Sequence, residues 1–374
     1  MEPISIYHPR NIKFGPGVIR QLPNDCHESG YKKICCLFAS PLKLPVENLY
    51  HEMQKFSIRM ESIEYSLGEP TTAYFNDLLS QIRTISPDCI VGIGGGSVLD
   101  LAKLAAALWN SAQTIEEIVG KNLLKQRTAG LICVPTTSGT GSEVSPNAIL
   151  LDESCSEKKS AISPYLIPDC CYIDPELTVN LPPKITAETA MDALSHCIEA
   201  YTNKFSHPIA DIYALAGIRL IMKNLEAAYQ DGSNLEARAA LALGSMYGGY
   251  CLGPVNTAAV HALSYGLGGQ YHIPHGLANA ILLPKLMRFN LDAVPDKYLN
   301  IAQAAGINNA EDGIAEIETL ARKCGIPQKL SEIGVEQTEV ENLANLAMKV
   351  TRLLVNNPKE VTKEDAITIY NSLF

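Results

Sequence analysis

The sequence lacks the features expected of a membrane protein, a nucleic-acid-binding protein or a disulfide-stabilised secreted protein. Its 374 residues contain no apolar stretch near the roughly 18 residues that a membrane helix requires. Acidic residues outnumber basic ones by 40 to 30, and the formal charge of −10 argues against nucleic acid or an anionic membrane as a partner. None of the 11 cysteines lies in a C-x-x-C pair. We therefore expect buried free thiols in a cytoplasmic, globular protein.

Strand-like and helix-like segments alternate only in the first half of the chain. Three of the predicted strands are residues 32–40, 88–94 and 129–137. Strands that alternate with helices predict βαβ units and a mainly parallel sheet covered on both faces. From Thr186 onward nearly every segment has helical periodicity, and the Pro182–Pro183 pair separates the two patterns. We predict an α/β dinucleotide-binding domain over residues 1–181 and an all-α catalytic domain over residues 182–374.

Four residues in the predicted helical domain have the chemistry of metal ligands. Asp192 and His196 are four residues apart in a predicted helix and project from the same face. For this pair alone, an acidic residue beside a buried core histidine is an equally good interpretation. His261 and His275 favour a metal, because one carboxylate and three imidazoles complete the ligand set of a divalent transition metal. Iron, zinc, cobalt and nickel all suit these ligands.

A glycine-rich turn follows the strand that ends at Ile93. Gly94, Gly95 and Gly96 turn the chain, and Ser97 is expected to cap the next helix. Glycines let a ligand approach the backbone, and a helix N-terminus favours a diphosphate. The spacing is not that of the G-x-G-x-x-G fingerprint, so a simple tight connection is the alternative.

A second loop, Pro135–Ser145, also follows a predicted strand and is rich in hydroxyl groups. Such groups can hydrogen-bond sugar or phosphate oxygens, although an exposed loop of this composition needs no ligand. Two such loops at strand ends support each other, because open α/β sheets bind ligands at the carboxyl ends of their strands.

These segments together resemble the iron-containing (group III) alcohol dehydrogenases. The motifs are GGGSVLDLAK, PTTSGTGSEVS, MDALSHCIEAY and VHALSYGLGGQYHIPHGLANAILLP, in that order. The resemblance implies a dehydroquinate-synthase-like fold and NAD(P)-dependent interconversion of an alcohol and an aldehyde or ketone on a divalent metal, Fe²⁺ or Zn²⁺. It places the metal ligands at Asp192, His196, His261 and His275. It places cofactor contacts at Gly94, Gly95, Gly96, Ser97, Thr136, Thr137, Thr140 and Lys158.

Two positions depart from the family's pattern. Many members have a second histidine four residues after the one matched by His261, and that histidine relays a proton; here Tyr265 stands at this position. A phenol is a poorer proton shuttle near neutrality than imidazole, so Tyr265 either takes part in catalysis or forms a wall of the substrate pocket. Many members also have an Asp where Ser40 stands. Without a carboxylate to repel a 2′-phosphate, NADP is expected alongside NAD or in preference to it.

Other interpretations share parts of this pattern. A maleylacetate-reductase-like enzyme and a dehydroquinate-synthase-like cyclase would both have the fold and the nucleotide loops. A metal-binding protein without catalysis would bind the ion and no nucleotide. We expect a dehydrogenase that acts on a small-molecule alcohol or aldehyde and forms a homodimer.

Overall fold

A parallel sheet of six strands, in the order β1-β9-β6-β4-β2-β3, forms the centre of the N-terminal half in the computed structural model. The structure describes residues 3–66, 68–154 and 157–374, and only the backbone of Leu44 and Glu157. The strands of this sheet are β1 (Asn11–Phe14), β2 (Lys33–Ala39), β3 (Arg59–Tyr65), β4 (Cys89–Gly94), β6 (Gly130–Pro135) and β9 (Cys170–Ile173). A smaller sheet contains β5 (Gly120–Lys121), β7 (Asn147–Asp152) and β8 (Glu157–Ile162), in which β7 and β8 are antiparallel.

Both faces of the large sheet are covered, as the apolar strands predict. The intervening helices are α1 (Leu22–Glu28), α2 (Lys43–Lys55), α3 (Thr72–Ile85), α4 (Gly96–Leu108) and α5 (Ile115–Ile118). Successive residues of a strand point to opposite faces, so Cys35 packs with α3 and α4 whereas Cys36 packs with α1 and α2. The ten cysteines in the described residues are all free thiols, in agreement with the sequence; Cys155 lies outside the described residues.

The C-terminal half is helical, as predicted. Its helices are α6 (Pro183–Thr202), α7 (Pro208–Gln230), α8 (Leu235–Leu252), α9 (Ala259–Tyr271), α10 (His275–Asn290), α11 (Pro295–Ala304), α12 (Ala310–Lys323), α13 (Val340–Lys349), α14 (Thr351–Leu354) and α15 (Lys363–Asn371). Proline is well suited to the first position of a helix because its missing N–H would have no intrahelical partner. Accordingly, Pro183 begins α6 directly after the extended Pro182. A single large apolar core lies among these helices.

The chain forms two compact units. One comprises Tyr7–Thr137 and Ser142–Thr178, and the other comprises Val179–Phe374 together with Ser138–Gly141 and residues 3–6. The predicted boundary at Pro182–Pro183 lies shortly after the change at Val179. Nothing in the sequence indicated that residues 138–141 cluster with the helices.

Register aligns the carboxyl ends of the central strands. Phe38 on β2 pairs with Ile93 on β4, and Gly94 on β4 pairs with Pro135 on β6. The glycine turn, the hydroxyl-rich loop and Ser40 therefore begin along one edge of the sheet.

Candidate metal centre and nucleotide-binding edge

Three helices supply the four predicted metal ligands. Asp192 and His196 lie one turn apart on α6, His261 lies on α9, and His275 is the first residue of α10. Asp192, His196 and His261 are buried, whereas the His275 side chain is 31% exposed. The structure therefore brings all four together within the helical unit and leaves a path to His275.

Close contact between α10 and α6 depends on Gly276. A Cβ atom at this residue would lie 2.3 Å from the carbonyl oxygen of Glu188, a separation that real Cβ atoms essentially never show. Glu188 precedes Asp192 by one helical turn. Only glycine permits this approach, which places His275 beside the carboxylate of Asp192.

The ligand atoms are spaced for one shared ion. Asp192 Oδ1 lies 3.6 Å from His261 Nε2, 3.7 Å from His275 Nε2 and 3.8 Å from His196 Nε2. A tetrahedral site with bonds of about 2.0–2.2 Å separates its ligand atoms by roughly 3.3–3.6 Å. Asp192, His261 and His275 form a compact group whose ligand atoms all lie within 4.8 Å of one another. His196 lies outside that compact group but stacks on His261 with ring centroids 4.8 Å apart.

Two buried carboxylates, Asp192 and Glu199, give this cluster an affinity for cations. Burial would raise the pKa of Asp192, but His196, His275 and His261 outweigh burial and hold it well below its usual range. Burial would lower the pKa of His261, but the charge of Glu199 and hydrogen bonds to Asp192 and Glu199 raise it to about 10. With neutral imidazoles, two buried carboxylate charges remain, and a divalent ion neutralises both. The donor set therefore fits a divalent metal ion.

Glu199 fixes the orientation of His261 and was not identified from the sequence. It is 4% exposed; one of its oxygens accepts the backbone N–H of Val260 at 2.7 Å, and the other is hydrogen-bonded to Nδ1 of His261. A carboxylate can only accept here, so the proton resides on Nδ1 and Nε2 is directed toward Asp192. Its position, seven residues after Asp192 and so on the same face of α6, was the available signal.

Asn279 also lies within the cluster and was not identified from the sequence. It is fully buried on α10, and its Nδ2 lies 2.7 Å from Asp192 Oδ1, 3.1 Å from His261 Nε2 and 3.2 Å from His275 Nε2. It follows His275 by four residues and therefore shares its helix face.

The glycine turn lies where the sequence predicts, but its glycines have different roles. A Cβ atom on Gly94 would lie 2.7 Å from Cβ of Val98, so this glycine lets α4 pack closely on its own strand. Gly95 is the N-cap of α4, and a Cβ atom there would lie 3.3 Å from Thr137 Oγ1. The first N–H groups of any helix lack intrahelical acceptors. The backbone at Gly95 and Gly96 is thus suited to a diphosphate.

The prediction that Ser97 caps α4 is wrong. The helix already includes Gly96, its N-cap is Gly95, and no side chain caps it. The Ser97 hydroxyl instead donates to the carbonyl of Gly68 at 3.1 Å. A serine inside the first turn cannot reach the free N–H groups as an N-cap residue does, and the nearby carbonyl provides its acceptor.

A buried hydrogen-bond network that includes Lys103 and Asp100 supports the hydroxyl-rich loop. Lys103 is completely buried, and its Nζ donates to Ser142 Oγ at 2.9 Å and to the carbonyl of Asn147 at 2.7 Å. Ser142 in turn donates to Asp100 at 2.5 Å. Burial lowers the pKa of Lys103 and raises that of Asp100. The loop serines that the sequence suggested for a nucleotide are thus partly used within the protein.

Thr136 and Thr137 begin the hydroxyl-rich loop at the end of β6, where the backbone N–H of Thr136 donates to the carbonyl of Gly94 at 3.0 Å. The tip of the loop, which includes Thr140, clusters with the helices. A Cβ atom on Gly139 would lie 2.8 Å from Cβ of Thr189, and one on Gly141 would lie 2.4 Å from Cα of Gly249. Two glycines therefore allow this tip to lie against α6 and α8.

Three further predicted residues have defined surroundings. Ser40 begins a 3₁₀ turn directly after β2, and its buried hydroxyl makes no hydrogen bond. Lys158 lies on β8 and forms a 2.6 Å ion pair with Glu69. The Tyr265 hydroxyl accepts a hydrogen bond from Arg352 at 3.0 Å, and its ring centroid lies 6.1 Å from that of His275. Tyr265 is therefore near the metal ligands, whichever role it has.

Comparisons with known proteins agree with this arrangement. The family model described as iron-containing alcohol dehydrogenase matches residues 9–175, and the model of the C-terminal part of the Fe-containing alcohol dehydrogenase family matches residues 186–374. Long-chain-alcohol dehydrogenase 1 of Geobacillus thermodenitrificans is 38% identical over 298 residues, 77% of this chain and 75% of that protein. The 1,3-propanediol dehydrogenase of Klebsiella pneumoniae is 32% identical over 373 residues, which is 96% of this chain and 96% of that protein.

A crystal structure of 1,3-propanediol oxidoreductase superimposes over 100% of both chains with a TM-score of 0.95 at 32% identity. The dehydroquinate-synthase-like fold expected from the motifs is thereby confirmed. Among the described residues, no helix is both long and apolar enough to span a bilayer. The two family models cover most of the sequence, relatives align with nearly its whole length, and the fold is shared. The chain is therefore an oxidoreductase that belongs to the iron-containing alcohol dehydrogenase family.

Proposed function

We propose that Asp192, His196, His261 and His275 hold Fe²⁺ in this enzyme, and that it interconverts an alcohol and an aldehyde with a nicotinamide cofactor. The observation that carries the proposal is the convergence of three imidazoles on one buried carboxylate oxygen, at 3.6, 3.7 and 3.8 Å. Zn²⁺ suits the same ligands, and the iron in the family's description supports Fe²⁺. When bound, the metal supplies Lewis-acid polarisation of the substrate oxygen and the nicotinamide carries the hydride.

The chain's own residues would bind and orient the reactants. Glu199 keeps the Nδ1 proton of His261, which leaves Nε2 as a ligand atom. The partly exposed His275 marks the side from which a small molecule can approach the ligands. Tyr265, held by Arg352, would border that approach and limit the size of the substrate.

The diphosphate of the cofactor would lie at the N-terminus of α4, on the backbone of Gly95 and Gly96. Thr136, Thr137, Thr140 and Lys158 are the further proposed contacts, by motif match. Ser40 stands at the sheet edge without a carboxylate, and its buried hydroxyl has no partner in the protein. We therefore propose that NADP is accepted, beside NAD or in preference to it.

The substrate is proposed as a primary alcohol and its aldehyde. Relatives named 1,3-propanediol dehydrogenase, long-chain-alcohol dehydrogenase, lactaldehyde reductase and sulfoacetaldehyde reductase differ in the length and charge of the molecule they are named for. The small molecules in these names share a terminal carbon that bears oxygen, and we propose that this carbon is the one that reacts at the metal site. A homodimer and a cytoplasmic location remain our proposals, the second supported by the free thiols.

The ligand assignment can be tested with His275→Ala and a matched control, His272→Asn. His272 is exposed, follows the last residue of α9 with a positive φ of 52°, and lies three residues before the ligand. Asparagine tolerates this conformation. We expect His275→Ala to lose most of its bound iron and turnover but to retain binding of NAD or NADP, because the glycine turn belongs to the other compact unit. His272→Asn should match the parent, and equal metal content in all three proteins would contradict the assignment.

A further inference from the structure

We propose that Asn279 is a positioning residue of the metal centre: its amide N–H groups hold Asp192 Oδ1 in place and cover one face of the ligand set. This inference rests on the proposed ligands. Its basis is that Nδ2 lies 2.7–3.2 Å from three of the four ligand atoms, those of Asp192, His261 and His275. No other asparagine side chain in the described residues makes such contacts with these ligands.

The chemistry of the three neighbours determines which end of the amide faces them. The ionised carboxylate oxygen of Asp192 can only accept a hydrogen bond, so an amide oxygen in the place of Nδ2, 2.7 Å away, would be repelled. Nδ2 therefore faces the ligands, and Oδ1 points away, buried and without a hydrogen-bond partner. A buried acceptor without a partner is costly. At Asn279 this cost is offset by the contacts that its N–H groups make with the ligand residues.

Of the three atoms near Nδ2, the carboxylate oxygen of Asp192 is the one that can only accept a hydrogen bond. When the imidazole lone pairs are used by a metal, Asp192 Oδ1 is the one acceptor that remains, and it is also the nearest, at 2.7 Å. The amide then has a single role, which is to fix the direction in which this oxygen presents its other lone pair. Ligand carboxylates held in this way lose less freedom on metal binding.

The same three distances place Nδ2 over the face formed by Asp192, His261 and His275. An additional ligand, such as water, cannot approach from that side while the side chain is present. Asn279 thus limits the number of ligands around the ion and leaves the side near the partly exposed His275 for substrate.

The test compares Asn279→Ala and Asn279→Asp with Asn290→Ala. Asn290 is a matched control on α10: it is 4% exposed and exchanges two side-chain hydrogen bonds with Asn357. Each metal-free protein is titrated with Co²⁺, whose visible absorption reports coordination number, and with Zn²⁺ in competition with a chromophoric chelator. We expect Asn279→Ala to bind metal about 10–100-fold more weakly and to give the weaker absorption of a site with more ligands.

Asn279→Asp keeps the shape but has no N–H to donate to Asp192, so its Co²⁺ spectrum should also differ from the parent's. Asn290→Ala should lose stability and keep the parent's spectrum and affinity. Equal effects of Asn279→Ala and Asn290→Ala on metal binding would overturn the proposal, as would tighter binding by Asn279→Ala or a parent-like spectrum in Asn279→Asp. A parent that binds no Co²⁺ would overturn the ligand assignment itself.

Discussion

Replacing Glu199 by glutamine tests how a residue that cannot bind the metal controls one that does. The carboxylate accepts from two donors, Val260 N–H and His261 Nδ1–H, and is almost fully buried. Glutamine has one oxygen, so its NH₂ group must face one of these donors. Either a buried donor loses its acceptor, or His261 moves its proton to Nε2, the nitrogen that is directed at the metal site.

The expected magnitude follows from these contacts. Loss of an orienting partner typically weakens metal binding by about 10–100-fold, which corresponds to about 1.4–2.8 kcal/mol. The protein as a whole should lose about 1–3 kcal/mol of stability, because one buried polar group is left without a partner. Nucleotide binding should not change, since the glycine turn belongs to the other compact unit.

Glu188→Gln is the matched control. Glu188 lies on the same helix and is also 4% exposed, but among the described residues it forms no hydrogen bond or ion pair with His261, and one of its oxygens has no hydrogen-bond partner. Metal dissociation constants would be measured by chelator competition for the parent, Glu199→Gln and Glu188→Gln, with unfolding curves for each. If Glu199→Gln bound metal as tightly as the parent, the orienting role of Glu199 would be refuted.

Three further predictions concern other parts of the molecule. Ser40→Asp should raise the KM for NADP at least about fivefold relative to that for NAD, because like charges a few ångströms apart repel by about 1 kcal/mol or more; strict NAD specificity in the parent would contradict this. Tyr265→Phe removes the acceptor of the Arg352 hydrogen bond, and we expect an altered KM with nearly unchanged kcat. A loss of kcat of roughly tenfold to thousandfold, the contribution of an acid–base group, would instead show a proton relay if Tyr265→His restored the activity. Burial raises the pKa of Glu143 to about 7 from 4.5, so the contribution of this carboxyl group to folding stability is complete below pH 4.5 and is lost as the pH rises through 7. The stability of Glu143→Gln relative to the parent should therefore increase by up to about 3 kcal/mol from pH 4 to pH 8. A difference in urea denaturation that did not depend on pH would count against this prediction.

Local patterns in the sequence were sufficient for the fold class and for the residues with metal chemistry. Periodicity is a property of neighbouring residues, so the change from strand–helix alternation to helices near Pro183 could be recognised without any tertiary contact. The four-residue spacing of Asp192 and His196 likewise places both on one helix face. Family membership required only four motifs in the right order, and the comparisons confirm it.

Tertiary structure decided which polar residues complete these sites. Spacing places Glu199 on the helix face of Asp192, but it does not give Glu199 or Lys103 a role, because a buried charge acquires one only when distant segments supply its partners. These partners are Val260 and His261 in one case and Ser142 in the other. The cap assigned to Ser97 was wrong because α4 already includes Gly96, which leaves Ser97 inside the first turn.

The sequence by itself determined the secondary structure and the kinds of ligand atom, since both depend on residue type and short spacing. Only the folded chain decided that Gly276 would let α10 touch α6, and that Asn279 would then meet Asp192. Approach distances between helices depend on side chains far apart in the chain, and a difference of one methyl group at Gly276 would separate the ligands.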